Sequence, residues 1–376
     1  MKITIIQGAF LPVPPVLGGA VEKRWFRLAQ EFASLGHEVT HLSRSHSTQP
    51  DKGLIGGVQH QRVQGYKQPH SLLAFKFLDL LYSFRVCRQV SLDSDVVVTN
   101  TFWSPLLLPR QLRHRAYVDI ARTPRGQCRL YRRAGRLRAN STPVAEAILR
   151  EVGSAASHRV SLIPNPLPFS PPQSVDLAVK QKRILYCGRI HPEKGIELLI
   201  HAAAKIPKDW SIDIVGPWET QHGGAGGAYL RSLQELARGL PVSFHEPEFD
   251  TQRLADHYRQ AAVFAYPSVA EKGETFGLAP LEAMAWGCVP VVSGLACFKD
   301  FIHSGTNGIV FDHRRQDAAD VLGEELTRLT SNEGFRNELA ARACEVGRTH
   351  HPTAIAALFL QDFERMLADI KQPHEH

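Results

Sequence analysis

Apolar residues in the first half of the chain alternate between short runs and helical spacing. Residues 2–7 form an apolar run that leads into a glycine loop, and an amphipathic helix is predicted from about Ala20 to Leu35. Further strands are predicted at 38–42, 58–63, 95–99, 116–120 and 137–141, and further helices at 72–90 and after residue 141 through residue 152. This alternation predicts a parallel sheet with helices on both faces.

A proline-rich stretch divides this pattern into two parts. Residues 164–173, PNPLPFSPPQ, cannot sustain a helix or a central strand, and we interpret them as a linker. Beyond it, strands are predicted at 183–187, 210–215, 242–245 and 263–265, and helices at about 195–205, 228–240 and 251–261. We therefore predict one domain at 1–170 and a second at 171–354, with a final helix at about 355–376 that packs back on the first domain.

The length of the chain is consistent with two domains, and the net charge differs between its two halves. A chain of 376 residues is long enough for two domains with substantial cores. Residues 1–180 carry 24 basic and 11 acidic side chains, a net charge of +13, whereas residues 181–376 carry 20 and 26, a net charge of −6. The basic first half therefore predicts an anionic partner.

Arginines are concentrated in one part of that basic half. Residues 110–138 contain ten of them against one acidic residue, Asp119. Such a density attracts phosphate, anionic lipid or acidic polymer, although a solvated helix face explains some of the arginines. The helix predicted at 72–90 has a wide apolar face, which either covers the sheet or lies on a membrane beside the arginines. Nucleic acid is not the expected partner, because no helix-turn-helix, zinc-finger or aromatic RNA-binding signature is present.

The cysteines and the N-terminus indicate the compartment. The six cysteines are scattered without a Cys-x-x-Cys pair, which favours reduced thiols over a disulfide framework or a zinc site. The first ten residues are typical of a first strand rather than a signal peptide, and charged residues interrupt the apolar helix at 72–90. We therefore expect a cytoplasmic protein, with peripheral attachment to the inner face of the membrane as a further expectation.

One segment, residues 266–293, combines two carboxylates with a turn, a helix and a buried strand. Glu274 and Glu282 bracket Gly277, and Pro280 occupies what we predict to be the first helical position. No Ser, Thr, Asp or Asn directly precedes Pro280, so the first-turn N–H groups lack a side-chain cap and can bind an anion such as phosphate. Taken alone, Glu282 could merely complement the helix dipole, and Glu274 could be a solvated loop acid.

A second motif opens the C-terminal domain. Residues 187–195, CGRIHPEKG, place Arg189 and Lys194 after a strand and at a helix start, beside the strand ends where doubly wound folds bind ligands. Together with the Glu274 segment and the glycine loop near the N-terminus, this order of motifs resembles the retaining glycosyltransferases of family 4. The resemblance covers essentially the whole chain, and three ordered motifs are far more specific than any one of them.

The resemblance implies an α/β protein of GT-B architecture, in which two Rossmann-like domains with parallel sheets face a central cleft. It implies catalytic roles for three residues: Arg189 and Lys194 clamp the diphosphate, and Glu274 hydrogen-bonds hydroxyls of the donor sugar. The backbone at 276–278 would approach the phosphates, and Glu282 would take the ribose hydroxyls. The residues implied to bind the nucleotide sugar are Gly18, Gly19, Arg189, Lys194, Glu248, Glu274, Phe276, Gly277, Leu278 and Glu282.

Two places depart from the family pattern. Many relatives carry a histidine near the donor anomeric carbon, but residues 117–124 read YVDIARTP, and Asp119 is the polar group nearest that place. Asp119 could replace the histidine, orient the acceptor beside Arg122, or be structural through an arginine pair. Residues 245–248, HEPE, stand where relatives tend to have glycine, and Glu248 in this segment leaves the nucleobase undecided.

No metal or other cofactor is expected, because Arg189, Lys194 and a helix N-terminus supply the positive charge. Asp93-Ser94-Asp95 matches the Asp-x-Asp pattern of metal-dependent transferases. A pattern that short arises by chance, and its place just before a buried strand favours a structural role.

These observations lead to two functional hypotheses. The first is a retaining, metal-independent hexosyltransferase that moves a sugar from a nucleotide diphosphate sugar to a lipid-linked or polysaccharide acceptor in cell-surface glycan synthesis. The second is a non-catalytic nucleotide-sugar or glycan binding protein with the same fold, motivated by the absent histidine. A glycosidase is not expected, since it would need two carboxylates facing one bond and no basic clamp.

Overall fold

The computed structural model describes residues 1–69, 71–248 and 250–371, and the chain divides into two compact units. Met1–Phe169 and His351–His376 make up the first unit, and Ser170–His350 the second. The division falls inside the proline-rich stretch at 164–173, where a chain without regular hydrogen bonding passes from one sheet to the next.

The first unit is built on an eight-stranded sheet. Its strands are β1 Lys2–Ile6, β2 Glu38–Arg44, β3 Lys52–Ile55, β4 Val58–Val63, β5 Val96–Thr99, β6 Ala116–Ile120, β7 Arg136–Ala139 and β8 Val160–Leu162. Its helices up to the linker are α1 Ala20–Ser34, α2 Leu72–Cys87, α3 Ser104–Leu107 and α4 Thr142–Val152. The strand order is β3-β4-β2-β1-β5-β6-β7-β8; β3 runs antiparallel to β4, and the other neighbours are parallel.

The second unit is a six-stranded parallel sheet. Its strands are β9 Gln181–Cys187, β10 Ser211–Val215, β11 Val242–His245, β12 Ala261–Tyr266, β13 Val289–Ser293 and β14 Ile309–Phe311. Its helices are α5 Ile196–Ala202, α6 Gly227–Leu236, α7 Thr251–Gln260, α8 Leu278–Ala285, α9 Ala318–Ser331 and α10 Glu333–Thr349. The order β11-β10-β9-β12-β13-β14 puts β9 and β12 side by side at the centre, so the segments that follow them meet.

A last helix, α11 Pro352–Lys371, belongs to the first unit and completes its core. Phe359 and Phe363 pack against Trp25 and Phe32 in one apolar cluster, and all four side chains are fully buried. Residues 372–376 of the predicted final helix lie outside the described residues. Helices α1 and α11 thus contribute to the same apolar cluster as strands of the first sheet.

The cysteines and the helices can be compared with two sequence predictions: reduced thiols, and no membrane-spanning segment at 72–90. All six cysteines are free, and burial raises the pKa of both Cys87 and Cys187 to about 12, so these thiols stay protonated. Within the described part of the chain, no helix combines the length and apolar character needed to cross a membrane.

Two histidines form an unusual contact inside the first sheet. His41 on β2 and His60 on β4 occupy paired positions, and their stacked rings lie 5.4 Å apart between centroids. Among the described residues, no hydrogen-bond partner reaches any of their four ring nitrogens. Burial, reinforced by the charge of Arg62, lowers the pKa of His60 to about 4 and that of His41 well below its ordinary value. Both rings are therefore neutral in the folded protein at neutral pH.

We expect the free energy of unfolding of the first unit to fall as the pH falls from about 6.5 towards about 4. Unfolded histidine binds a proton near pH 6.5 while the buried rings remain neutral, so the unfolded state binds more protons. Each histidine then contributes a slope of up to about 1.4 kcal/mol per pH unit. Urea unfolding between pH 7 and roughly pH 4.5 measures this slope.

A matched pair of variants tests the assignment of that slope. His60→Phe keeps an aromatic ring beside Phe26 and His41 but removes one titrating group, so the slope should become shallower. His46→Gln, at a less buried histidine, should leave the slope unchanged. An identical slope in wild type and His60→Phe would show that the stacked pair does not cause the acid sensitivity.

Candidate active site

The candidate site lies at the carboxyl ends of β9 and β12, where the two following loops are joined. Val269 N–H donates to the carbonyl oxygen of Glu193 at 2.9 Å, and the Ser268 hydroxyl donates to the same oxygen at 3.2 Å. Gly195 has φ 65°, and a Cβ there would lie 2.1 Å from the Pro267 carbonyl oxygen. Only glycine permits this approach, which brings the residue before it, Lys194, against the other loop.

Lys194 and Glu274 form a nearly buried ion pair at this junction. The Lys194 Nζ lies 2.7 Å from Glu274 Oε2, and the two side chains are 8% and 13% exposed. The Tyr266 hydroxyl also donates to Glu274 Oε2, at 3.1 Å, and burial, together with Glu274, raises the pKa of Tyr266 well above its ordinary value. The structure thus brings together two of the three predicted catalytic residues and adds a neutral hydroxyl that fixes the carboxylate.

Arg189 is the exposed cation of the site. Its Nη2 lies 2.7 Å from Glu193 Oε1, and its Nη1 donates to the Gly223 carbonyl oxygen at 2.9 Å. The side chain is 44% exposed, in contrast to the buried Lys194. Arg189 is therefore held in one orientation by the protein while its side chain remains partly open to solvent, where it can meet an anionic ligand.

Helix α8 begins at Leu278, two residues before the predicted start at Pro280. Gly277 is its N-cap with φ 89°, and a Cβ at this position would lie 2.3 Å from Phe298 Cε1. Pro280 is the third helical residue; the prediction placed it first because proline is tolerated throughout the first turn, where its missing N–H is not needed. Gly277 has no side chain with which to cap the helix, so the first backbone N–H groups of α8 are candidates to bind an anion.

Only the backbone of Phe276 can serve a ligand. Its side chain is 3% exposed and stacks on Phe301, with ring centroids 5.3 Å apart, so it belongs to the core. Phe276, Gly277 and Leu278 together carry the turn that leads from Glu274 into α8. This arrangement is compatible with the predicted backbone role of the three residues.

Glu282, on the first turns of α8, is half-buried and also has a tyrosine partner. The Tyr258 hydroxyl donates to Glu282 Oε2 at 3.1 Å, and burial raises the pKa of Tyr258 well above its ordinary value. Sequence reasoning missed both tyrosines. Tyr266 stands at the start of the segment that drew attention, but Tyr258 lies on α7 and carries no motif that could have found it.

Glu248 lies apart from these residues, after the edge strand β11. Its Oε1 accepts a hydrogen bond from the Asp250 N–H at 2.8 Å, at the turn into α7. Since β10 stands between β11 and β9, Glu248 is separated from Arg189 and Lys194 by one strand. Its predicted contact with the nucleotide stays a prediction.

The first unit holds the remaining predicted residues at the carboxyl ends of β1 and β6. Gly18 and Gly19 precede α1 with φ 79° and 99°, in the left-handed region that glycine adopts without strain. Arg122, just beyond β6, is exposed. Asp119, by contrast, lies within β6 with a side chain that has no exposed surface.

Asp119 is the centre of a buried ion network. It accepts from Arg24, from Arg138 Nη1 at 2.7 Å and from Trp25 Nε1 at 2.9 Å. Asn165 Oδ1 joins the two arginines, at 2.7 Å from Arg24 Nη1 and 2.9 Å from Arg138 Nη2. Burial opposes the charged carboxylate, but both arginines outweigh it and hold the pKa of Asp119 below its ordinary value. This geometry favours the structural alternative for Asp119.

The arginine cluster predicted at 110–138 is divided by the fold. Arg136 is buried in ion pairs with Asp362 and Asp369 of α11, and Arg138 is buried beside Asp119. The exposed members are Arg110, Arg122, Arg125, Arg129, Arg132 and Arg133. The surface available to an anionic partner is therefore smaller than the sequence count implied.

The Asp-x-Asp pattern makes structural contacts. Asp93 pairs with Lys2, and Asp95 accepts the Lys2 N–H at 2.7 Å at the amino end of β5, away from the carboxyl ends where the site lies. In residues 1–69, 71–248 and 250–371, no group of three or more His, Cys, Asp or Glu side chains is arranged to hold a metal ion.

Comparison of the sequence with known proteins gives one family and several relatives. Residues 172–346, nearly the whole second unit, match the family described as Glycosyl transferases group 1. The D-inositol 3-phosphate glycosyltransferase of Nocardiopsis dassonvillei is 33% identical over 244 residues, which cover 60% of this chain and 54% of that protein. The corresponding enzyme of Mycolicibacterium smegmatis is 30% identical over 203 residues, covering 53% and 43%. The chain thus spans about half the length of these curated relatives.

Solved structures resemble the chain over nearly its full length. The sucrose-phosphate synthase of Thermosynechococcus elongatus has a TM-score of 0.76 at 21% identity, covering 98% of this chain and 99% of its own. Anabaena HepE in complex with UDP and glucose has a TM-score of 0.69 at 15% identity, covering 97% and 100%. The predicted fold class is confirmed: the chain has the GT-B fold, with two α/β units built on parallel sheets.

Proposed function

We propose that this chain is a retaining, metal-independent glycosyltransferase that moves a sugar from a nucleotide diphosphate sugar to a lipid-linked or polysaccharide acceptor. The observation that carries the proposal is the nearly buried Lys194–Glu274 pair, which stands beside Arg189 and close in sequence to the start of α8 at Gly277. These groups belong to the unit whose sequence matches the group 1 glycosyl transferases.

The basic groups suit the leaving nucleotide diphosphate. When the sugar–phosphate bond breaks, negative charge builds up on the diphosphate, and preorganised cations stabilise that charge more than they stabilise the ground state. Lys194 uses one of its three N–H donors on Glu274 and can direct others at a phosphate oxygen. Arg189 offers a planar guanidinium group, and the first turn of α8 offers backbone N–H groups.

The acidic groups suit the hydroxyls of the donor. Glu274, held by Lys194 and Tyr266, presents a fixed carboxylate that can accept from sugar hydroxyls. Glu282, held by Tyr258, can do the same for the ribose hydroxyls. Each carboxylate is oriented by a neutral tyrosine hydroxyl, which limits the loss of side-chain freedom when the donor binds.

We propose the acceptor and the cellular setting from the charge of the first half of the chain and from the names of its relatives. A role in cell-surface glycan synthesis in the cytoplasm, at the inner face of the membrane, agrees with the basic first half of the chain. The relatives' names add a phosphorylated cyclitol as an acceptor class to be tried beside polyprenyl-linked sugars. Uridine is the first base to try, since HepE binds UDP.

The alternative of a non-catalytic binding protein is favoured by one observation. Asp119, at the place where many relatives carry a histidine, is fully buried in an ion network and cannot contact a ligand directly without rearrangement. A protein that binds nucleotide sugars without transferring them would need the donor-binding residues but no reactive group at the place of Asp119.

One experiment separates the two. The purified chain is incubated with a panel of nucleotide sugars, with and without D-inositol 3-phosphate or polyprenyl-linked acceptors, and the products are identified by mass spectrometry. We expect one donor to be consumed, with the same anomeric configuration in the product by NMR and undiminished turnover in EDTA. A donor that raises the melting temperature but stays intact with every acceptor would support the binding protein instead.

A further inference from the structure

The outward side of α2 is apolar, although it faces solvent. Four large apolar side chains on this helix are about half exposed or more: Leu72 at 68%, Leu73 at 81%, Phe77 at 59% and Phe84 at 49%. Single exposed apolar residues are common on protein surfaces, but four on one helix need a physical reason.

Helical spacing places most of these residues on one stripe. Leu73, Phe77 and Phe84 are separated by four and seven positions, so they lie on the same side of the helix, with half-buried Leu80 between them. Among the buried residues of the helix, Asp79, Tyr82 and Val86 fall on the opposite side, whereas Ser83 and Cys87 lie at the border of the stripe. The side that a surface helix normally keeps polar is therefore apolar here.

Basic side chains border this stripe. Arg88 lies over the Phe84 ring, with its guanidinium carbon 4.1 Å from the ring centroid, and Lys76 is exposed one position before Phe77. Arg85 lies over Tyr66, 5.5 Å from that ring. Long basic side chains beside exposed aromatic rings are typical of helices that lie in a membrane interface.

Aromatic contacts connect the stripe to the exposed arginines. Lys76 Nζ lies 5.8 Å from the Phe102 ring, and the Tyr131 hydroxyl donates to the Phe102 carbonyl oxygen at 2.9 Å. Leu130, next to Tyr131, is 52% exposed. The exposed arginines that flank this turn are Arg129, Arg132 and Arg133. We call the exposed residues of the apolar stripe, together with Lys76, Arg88, Leu130 and these three arginines, the α2 surface.

We propose that the α2 surface docks on an anionic lipid bilayer. The apolar stripe would enter the boundary between headgroups and acyl chains, and the surrounding lysine and arginines would meet the acidic headgroups. The basic residues around the stripe favour a bilayer over a second copy of the chain as its partner. A second copy would bring the same positive charge against them, whereas an anionic bilayer complements both the charge and the apolar stripe.

This inference goes beyond the proposed transfer reaction and does not depend on it. Vesicle binding is measured without donor or acceptor, so the protein can bind lipid and still prove inactive, or transfer sugar and fail to bind. If both hold, the α2 surface would bring the enzyme to the membrane where a lipid-linked acceptor resides.

The first test is sedimentation of the full chain with vesicles. We expect retention by vesicles of phosphatidylcholine with about one third phosphatidylglycerol at low salt. Retention should fall steeply with pure phosphatidylcholine, and it should weaken at about 0.5 M NaCl because salt screens the headgroup attraction.

Two matched pairs of variants locate the surface. Replacing Leu73, Phe77 and Phe84 together by serine should lower the partition coefficient by more than about tenfold. Serine at Leu54, Leu236 and Leu358, which are 65%, 36% and 43% exposed elsewhere, should leave it unchanged.

The second pair tests the basic residues around the stripe. Replacing Arg129, Arg132 and Arg133 by glutamine should lower binding to anionic vesicles at low salt by on the order of 100-fold, at about fivefold for each charge. Glutamine at three exposed arginines of the second unit should have little effect, and these are Arg231, Arg238 and Arg253. Unchanged melting temperatures would exclude misfolding as the cause of any loss.

Several outcomes would overturn the proposal. Wild-type protein that stays in the supernatant with anionic vesicles at low salt would do so, as would apolar-stripe variants that bind as tightly as wild type. A concentration-dependent dimer in light scattering that the stripe variant abolishes, without vesicle binding, would show that the stripe joins two copies of the chain instead.

Discussion

Donor turnover is expected to fall by roughly 10²–10³-fold in Glu274→Gln and in Lys194→Met, the loss typical of removing one preorganised charge or donor from a transition state. Glu274 loses the charge with which it orders Lys194 and the sugar hydroxyls, and Lys194→Met removes a cation from the diphosphate. Steady-state hydrolysis or transfer, with the donor that the nucleotide-sugar panel selects, measures both. Wild-type rates in both folded variants would contradict the proposed function.

Stability measurements distinguish a loss of catalysis in these variants from a loss of folded protein. Each single change leaves a partner charge in a site where only 8% of Lys194 and 13% of Glu274 is exposed, at a cost of about 3–5 kcal/mol. The double variant removes both charges, so it should regain most of the lost stability and remain inactive. The control is Glu271→Gln, at a carboxylate three residues away that is 49% exposed and should retain full turnover.

Asp119→Ala is expected to lower the melting temperature of the first unit by roughly 6–20 °C, which corresponds to about 3–5 kcal/mol. The change leaves the guanidinium groups of Arg24 and Arg138 buried without their shared carboxylate. The Arg24 side chain is only 8% exposed, and this burial lowers its pKa to about 10. Differential scanning calorimetry follows the transition of each unit.

A second aspartate in the same sheet provides the comparison. Asp93 pairs with Lys2 at the surface, with 58% and 48% of their side chains exposed, so Asp93→Ala should change the melting temperature little. If Asp119→Ala instead kept the wild-type melting temperature and lost transfer to acceptor, Asp119 would have the acceptor-side role that the sequence also allowed.

Much of the two sheets could be predicted, because short strand-like segments alternate with amphipathic helices along the chain. Strands β4, β6 and β11 have the predicted bounds, since alternation with amphipathic helices leaves few other choices. Strands β3, β8 and β14 were not predicted, because they have four, three and three residues and lie at the edges of their sheets. At such lengths, pairing with a neighbouring strand decides the structure rather than any local pattern.

Contacts between distant residues were beyond the reach of sequence reasoning. Arg136 and Arg138 were counted with a surface cluster, because their acidic partners Asp362 and Asp119 lie elsewhere in the chain. Charge counts along a sequence cannot distinguish a paired, buried arginine from a solvated one.

The candidate site shows the same division. Motif order placed Lys194 and Glu274 in one site, but their ion pair spans 80 positions and depends on the close approach at Gly195. The start of α8 was misplaced by two residues because Gly277, rather than a polar cap, begins the helix. The contacts of Tyr258 and Tyr266 with the two glutamates could not be predicted, because the fold must first bring α7 and β12 beside them.

Helix α11 has a consequence for the order in which the protein is made. The first unit's core needs Phe359 and Phe363, which leave the ribosome long after Trp25 and Phe32 have emerged. The second unit is one uninterrupted segment and is fully synthesised before them. The first unit therefore begins to emerge first but completes its core last. A chain stalled before α11 leaves the apolar face that α11 covers exposed to solvent. Ribosome-associated chaperones, which bind such faces, should hold nascent chains through their N-terminal half.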